Sequence, residues 1–320
     1  MPNAIPVSEW LEFMDREYLS TFIQDGGATI KFAVPVEEEV NHGLRRALRD
    51  LSARLDYIYV KIDSAETRVH LPQELFFAMA GQVDWRLMAR RCVLGLSRDL
   101  GHLVDNVNPY DSSHIYRAIG EANGLSSEMI LRELRPELES KVYKNPQMAK
   151  DFRVAMLHLC LQEGTEGDQE YGGQPLIDWL TGNNTRVSNV RPFLIYNTIN
   201  RTTARHFLES AFYWFKYVGY TGTVIFLDNR RVTLARNPRD GFRYYNRAMA
   251  IDHYELLREF IDSTDRLIGT LLVVVTNNEF LNSEGSGRGF GIYQALMTRV
   301  MDDVRDRALV NPVASLIRLA

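Results

Sequence analysis

Short runs of strand-forming residues, separated by long stretches of helical spacing, set the plan of this chain. Five segments read as strands: 29–34 (TIKFAV), 57–62 (YIYVKI), 223–228 (TVIFLD), 270–276 (TLLVVVT) and 313–319. Between the first two, Val40, Leu44, Leu48, Leu51 and Leu55 recur at helical spacing, which makes a β-α-β unit. Upstream, residues 8–23 predict a helix with Ser8 as N-cap and Trp10, Leu11, Met14, Leu19, Phe22 and Ile23 on one face, ended by Gly26 and Gly27. From 63 to 220 the pattern is helical, with Asn145 and Pro146 reading as N-cap and first residue of a helix that carries Phe152, Met156 and Leu159. A helix over 202–218 stops at Gly219 and feeds the chain into the third strand, and another is expected over 290–306. Parallel strands need long crossovers, so the expected fold is α/β, a three-layer parallel sheet with a large helical insertion. The expected organisation is 1–63 for the first β-α-β unit, 64–220 for the insertion and 221–320 for the rest of the sheet. Ligands would bind at the C-terminal edge of the strands.

Composition narrows the function classes without naming one. The 320 residues are 45% apolar, enough for a sizeable core, and the net charge of -4 gives no global attraction to nucleic acid or anionic membrane. Cys92 and Cys160 are the only cysteines, and the histidines show no metal-binding spacing, so neither a disulfide framework nor a metal site is expected. The first ten residues do not read as a signal peptide, and the longest aliphatic run, 271–275, is too short to span a bilayer. A cytoplasmic protein is the expectation.

Candidate chemistry begins at TVIFLDN, 223–229: a buried strand ending in a carboxylate, Asp228, can present it to a divalent metal beside a phosphate. The plainer reading is an ordinary strand end before a loop. Residues 230–247 hold Arg230, Arg231, Arg236, Arg239, Arg243 and Arg247 with Phe242, Tyr244 and Tyr245, opposed within the segment by Asp240. Arginine with aromatic side chains can grip a phosphate backbone and stack on bases. A charged surface that pairs with acidic neighbours stands against it.

The blocks GGATIKFAV (26–34), VGYTGTVIFLDN (218–229), LLVVVTNNEF (271–280) and GRGFGIYQALMTRVMDDVRDRALVNPVASLIRL (287–319) resemble the P-loop ATP-binding proteins of bacterial BREX-type phage-defence islands. That family is a branch of the ATPases with an additional strand between the P-loop strand and the acidic strand. The resemblance implies an ATPase-like core; because relatives continue past the closing strand, the loss of a C-terminal extension is an expectation. It also implies a glycine-rich turn of the form G-x-x-x-x-G-K-[ST] after the first strand, whose N–H groups wrap phosphate. This chain instead has PVEEEVNHG at 35–43, with no lysine, no following Ser or Thr, and three carboxylates. Like charges at about 5 Å repel by roughly 3 kcal/mol at an effective dielectric near 20, so ordinary nucleotide binding should fail. The plainer role of Glu37, Glu38 and Glu39 is the first turn of the next helix, where acidic side chains suit the dipole.

Where a hydrolysing relative would carry a glutamate base, the chain has Asn229, which cannot take a proton. Asn277, and Asn278 beside it, match the polar sensor position after the fourth strand, with a turn as the plainer reading. Arg288 and Arg299 are candidate arginine fingers. Arg299 and Arg305 would otherwise pair with Asp302, Asp303 or Asp306. Lys31 lies on the strand and reads as solvated or paired. Asp228, Asn229 and Asn277 are therefore expected to be vestigial, with no cofactor, ATP and magnesium being the weaker alternative. The function so implied is a non-hydrolysing structural or regulatory subunit of an antiphage complex. Its expected partners are other subunits, among them an intact ATPase paralogue. An ATPase completed by a partner chain and a DNA-binding module using 230–247 stand as alternatives.

Overall fold

The computed structural model describes residues 4–110, 114–163, 172–184, 186–282, 287–301 and 312–320. The chain forms two compact units, one of Met1–Ala78 with Tyr220–Ala320 and the other of Met79–Gly219. Residues 64–78, which the sequence places with the helical stretch, group with the sheet.

The first unit carries one sheet of five parallel strands: β1 (Ala28–Pro35), β2 (Tyr57–Asp63), β3 (Gly222–Asp228), β4 (Thr270–Val275) and β5 (Leu316–Leu319). Their spatial order is β2-β3-β4-β1-β5, so β4 lies between β1 and β3. All residues of β3 and β4 are buried, as their continuous apolar sequences require, whereas β2 and β5 alternate like edge strands.

Both faces of the sheet are covered. On one, Ala33, Val224, Phe226, Leu271 and Val273 join Trp10, Met14, Leu44 and Leu48 from the helices Val7–Met14 and Glu38–Arg54. Strand residues alternate between faces. On the other face Phe32 stacks on Phe280, which meets Tyr254 of the helix Arg247–Asp262 and Phe290. Ile5 pairs with Leu319 and ties the N-terminal segment to β5.

Several local expectations change. The first helix starts at Val7 after Pro6, so Ser8 lies inside it, and beyond Met14 the chain continues as a π-helix, Asp15–Phe22. Phe22, expected on the buried face, is half exposed, and its ring lies over Gly27, where a Cβ would come within 2.5 Å of it. Of the two roles expected for Lys31, solvated or paired, the structure shows the paired one, and buried: its ammonium donates to the Tyr18 hydroxyl and to the Val313 and Ala314 carbonyls.

The second unit is helical throughout its described secondary structure. Asp84 caps Trp85–Asp99 by accepting from the Leu87 N–H, and Trp85 packs edge-on against Phe152 of Lys150–Gln162. That second helix begins at Lys150, not after Asn145. Asn145 forms a local turn, accepting from the Gln147 N–H and donating to the Tyr213 hydroxyl. Ala204–Tyr217 ends as expected, with Gly219 at φ 94. No described helix is long and apolar enough to cross a membrane.

Candidate functional site

Parallel alignment brings the C-terminal ends of β1, β3 and β4 to one edge, with Asp228 opposite Val275 in register. Asp228 is 7% exposed, and an unpaired carboxylate there would be costly. Arg230, two residues on, turns back as the short helical turn Arg230–Thr233 begins and meets it with both faces of its fork. Nε lies 2.9 Å from Oδ1 and Nη2 lies 2.6 Å from Oδ2. Planar guanidinium matches carboxylate geometry in this two-bonded form.

The same guanidinium reaches Glu38. Nη2 is 3.2 Å from Oε1, and Nη1 donates to Oε2. Arg230 therefore bridges the tip of β3 to the first turn of the helix after β1. Its hydrogen bonds to Asp228, then to Glu38, raise its pKa above the ordinary arginine value. The Arg230 hydrogen bond is the main reason that Glu38 falls to about 2, assisted by Asn41, whose side chain also donates to Glu38.

The connection from β1 to that helix is short. Pro35 ends the strand, Glu37 is the N-cap in extended conformation, and Glu38 opens the helix. Only Val36 and Glu37 lie between, so no loop exists at this position to wrap phosphate oxygens. Glu38 and Glu39 occupy the first helical turn, as the plainer reading expects.

Asn229 is fully buried. Its backbone N–H donates to the Val275 carbonyl at 2.7 Å, while neither side-chain polar atom meets a partner among the described residues. Asn277 caps the turn Asn278–Leu281 by accepting from the Phe280 N–H, and its amide exchanges hydrogen bonds with Thr233. It thus ties β4 to the turn that carries Arg230.

The remaining arginines divide. Arg231 pairs with Asp240, donates to the Arg243 carbonyl and lies 5.5 Å from the Phe242 ring centre. Arg236, Arg239, Arg243 and Arg247 are exposed. Tyr245 is buried, and its hydroxyl meets the Ser64 and Thr67 carbonyls and the Val69 N–H, so it holds the fold and has no face to offer a base. Tyr244 is half-buried, and its hydroxyl receives an Nη2 hydrogen from Arg288 at 3.1 Å. Arg288 is thereby attached to the arginine segment. Arg299 pairs with Asp262 on the neighbouring helix. Arg305, Asp302, Asp303 and Asp306 lie outside the described residues.

The sequence reading missed the roles of Glu38 and Tyr245. An arginine two residues past a strand-tip carboxylate was a usable local signal for Arg230 and Asp228, but nothing local pointed to a partner 192 positions away. Among the described residues no group of three or more His, Cys, Asp or Glu side chains could hold a metal ion.

A family model for the BREX system ATP-binding protein BrxC/D matches residues 113–320, which is more than half of the chain. The chain belongs to this BrxC/D family. The matched span includes β3, β4 and β5, hence Asp228, Arg230 and Asn277, while β1, β2 and Glu38 precede it. No curated protein and no solved structure matches the chain.

Proposed function

We propose that this BrxC/D family chain is a non-hydrolysing, ATPase-like structural or regulatory subunit of a BREX antiphage complex. The observation that carries the reading is the Arg230 bridge. Its guanidinium takes both oxygens of Asp228 and of Glu38, the carboxylates at the strand edge where a metal and phosphates would be needed. A metal ion would have to displace this guanidinium to reach either carboxylate, because all four carboxylate oxygens already accept hydrogen bonds from it. Two further observations support it: the two-residue link after β1 leaves no phosphate cradle, and Asn229 cannot act as a base. An ATPase-type ancestry of the sheet is supported by β4 lying between β1 and β3, the additional-strand arrangement that the sequence resemblance implies.

A domain that keeps such a core without its chemistry retains the surfaces that the core uses for association. Family membership in a multi-subunit defence system supports that role. The test is a magnesium-dependent ATPase assay on the purified chain, with fluorescent-ATP titration beside it; no turnover and no saturable binding are expected. Turnover that disappears in Asp228→Ala would overturn the reading. Light scattering of the protein drawn from its native operon should show a complex, and a lone monomer would remove the subunit role.

A further inference from the structure

The sheet unit carries a cleft of about 810 Å³, within the size range of ligand sites, that belongs to neither Asp228 nor the Arg230 bridge. Two stretches of chain line it: the segment after β2, with Glu66, Arg68 and His70, and the later part of the arginine-rich stretch, with Asn237, Phe242, Arg243 and Tyr244.

These walls are fixed to one another. The Arg243 N–H donates to the Ala65 carbonyl at 2.9 Å, and Arg243 Nε to the Glu66 carbonyl at 3.3 Å. Buried Tyr245 holds Ser64, Thr67 and Val69 through one hydroxyl. The loop itself is built: Asn237 accepts from the Arg239 N–H, Asp240 accepts from the Phe242 N–H, and Arg231 holds Asp240. Left-handed backbone at Arg239 (φ 57) and Gly241 (φ 84) turns the chain back to the cleft.

We infer that this cleft binds single-stranded nucleic acid. Phe242 is 56% exposed, a large exposed ring beside the half-buried Tyr244, and together they offer aromatic surface on which unstacked bases can lie. Arg68 and Arg243 supply cations from the two lining segments, and Arg236 and Arg239 continue the exposed positive charge along the loop. A free nucleotide carries its phosphates in one cluster and needs donors that converge. These arginines are spread over two segments of chain, at 68 and at 236, 239 and 243, which suits a phosphodiester backbone with one charge per residue. In duplexes the base faces are stacked and out of reach of the rings, which favours a single strand. The residue that separates this site from a merely basic loop is Arg68, since it lies outside 230–247.

The experiment is fluorescence anisotropy of the intact purified chain with labelled dT20, U20 and a 20-base-pair duplex at about 50 and 200 mM salt. Both single strands should bind more tightly than the duplex, and a difference between dT20 and U20 assigns DNA or RNA. Arg68→Ala should weaken binding and lower the log–log salt slope by about one. Phe242→Ala should weaken it roughly five-fold or more with the salt slope unchanged. Phe242 is exposed, so this variant tests the site even if Arg68→Ala folds poorly. Absence of binding at low salt, a duplex bound as tightly as the single strands, or wild-type binding by Phe242→Ala would each overturn the inference. Displacement of the strand by ATP alone at equal concentration would overturn it in favour of a free nucleotide.

Discussion

Each unit of this protein buries a carboxylate near arginine, and the two arrangements differ. In the sheet unit Asp228 is 7% exposed and is gripped by Arg230 through contacts of 2.6 and 2.9 Å. In the helical unit Glu163 is 8% exposed, with Arg90 at 3.6 Å and Arg86 at 3.8 Å, too far for direct hydrogen bonds. Burial therefore outweighs the two arginines at Glu163 and pushes its pKa to about 7. The two carboxylates differ in contact: Asp228 receives a forked hydrogen bond, and Glu163 receives none from its arginines. The sheet unit closes its acidic position with an internal cation in direct contact, while the helical unit leaves its buried carboxyl without a direct hydrogen bond from either arginine.

The largest expected effect tests the closed pair. Arg230→Ala leaves Asp228 buried without its cation and should cost about 3 kcal/mol, the lower end for a broken buried pair because Arg230 is 29% exposed. Replacing both partners together, Asp228→Asn with Arg230→Met, should cost much less than the sum of the single changes. Urea unfolding of the wild type, Arg230→Ala, the two single variants and the double variant measures this. If Arg230→Ala changes stability by under about 0.5 kcal/mol, the bridge is no more than a surface ion pair.

Titration sharpens the contrast from the other side. His253, in the sheet unit, is fully buried with Nδ1 2.9 Å from the Val69 carbonyl, and burial lowers its pKa to about 4. The unfolded chain binds this proton more readily, so stability is complete above about pH 6.5 and falls with pH down to about 4, by about 3 kcal/mol. For Glu163 the folded state holds the proton more tightly. Its contribution is complete below about pH 4.5 and is lost as pH rises through about 7, by about 2 kcal/mol after allowance for its partly exposed arginines. The two units should therefore lose stability in opposite directions of pH. Hydrogen exchange resolved by peptide would show it, with His253→Gln flattening the acid limb in the sheet unit and Glu163→Gln the neutral limb in the helical unit. Parallel pH responses in both units would break the comparison.

Legibility in the sequence followed the range of the interactions. The strands at 223–228 and 270–276 were readable because buried parallel strands are continuous apolar runs, and those at 29–34 and 57–62 because they are short runs of strand-forming residues; each agrees with its observed span to within a residue or so. Gly219 was readable because a helix stop needs positive φ. Asn145 misled because asparagine serves a local turn as readily as a helix cap, and only Tyr213, 68 positions on, settles which. The site was half legible. Asp228, Asn229 and the absence of a glycine-rich turn stood in the sequence, whereas the bridge from Arg230 to Glu38 and the burial of Tyr245 depend on how distant strands align. Composition alone overcounted the basic segment, since Arg230 and Arg231 are consumed by internal carboxylates.

The smallest expected effect concerns Arg299, which sequence alone makes a candidate finger. Arg299 and Arg258 both pair with Asp262 at the surface, and the Arg299 side chain is 35% exposed. A solvent-screened pair of this kind contributes up to about 1 kcal/mol, and Asp262 keeps Arg258 when Arg299 is removed, so Arg299→Ala should cost less than about 0.5 kcal/mol. Asp262→Ala removes the shared partner of both arginines and should cost more than Arg299→Ala. A thermal or urea unfolding series on the two variants orders them. Should Arg299→Ala instead alter assembly with co-purifying subunits while leaving stability untouched, its guanidinium would be reaching a partner chain, and the surface-pair reading would give way to the finger.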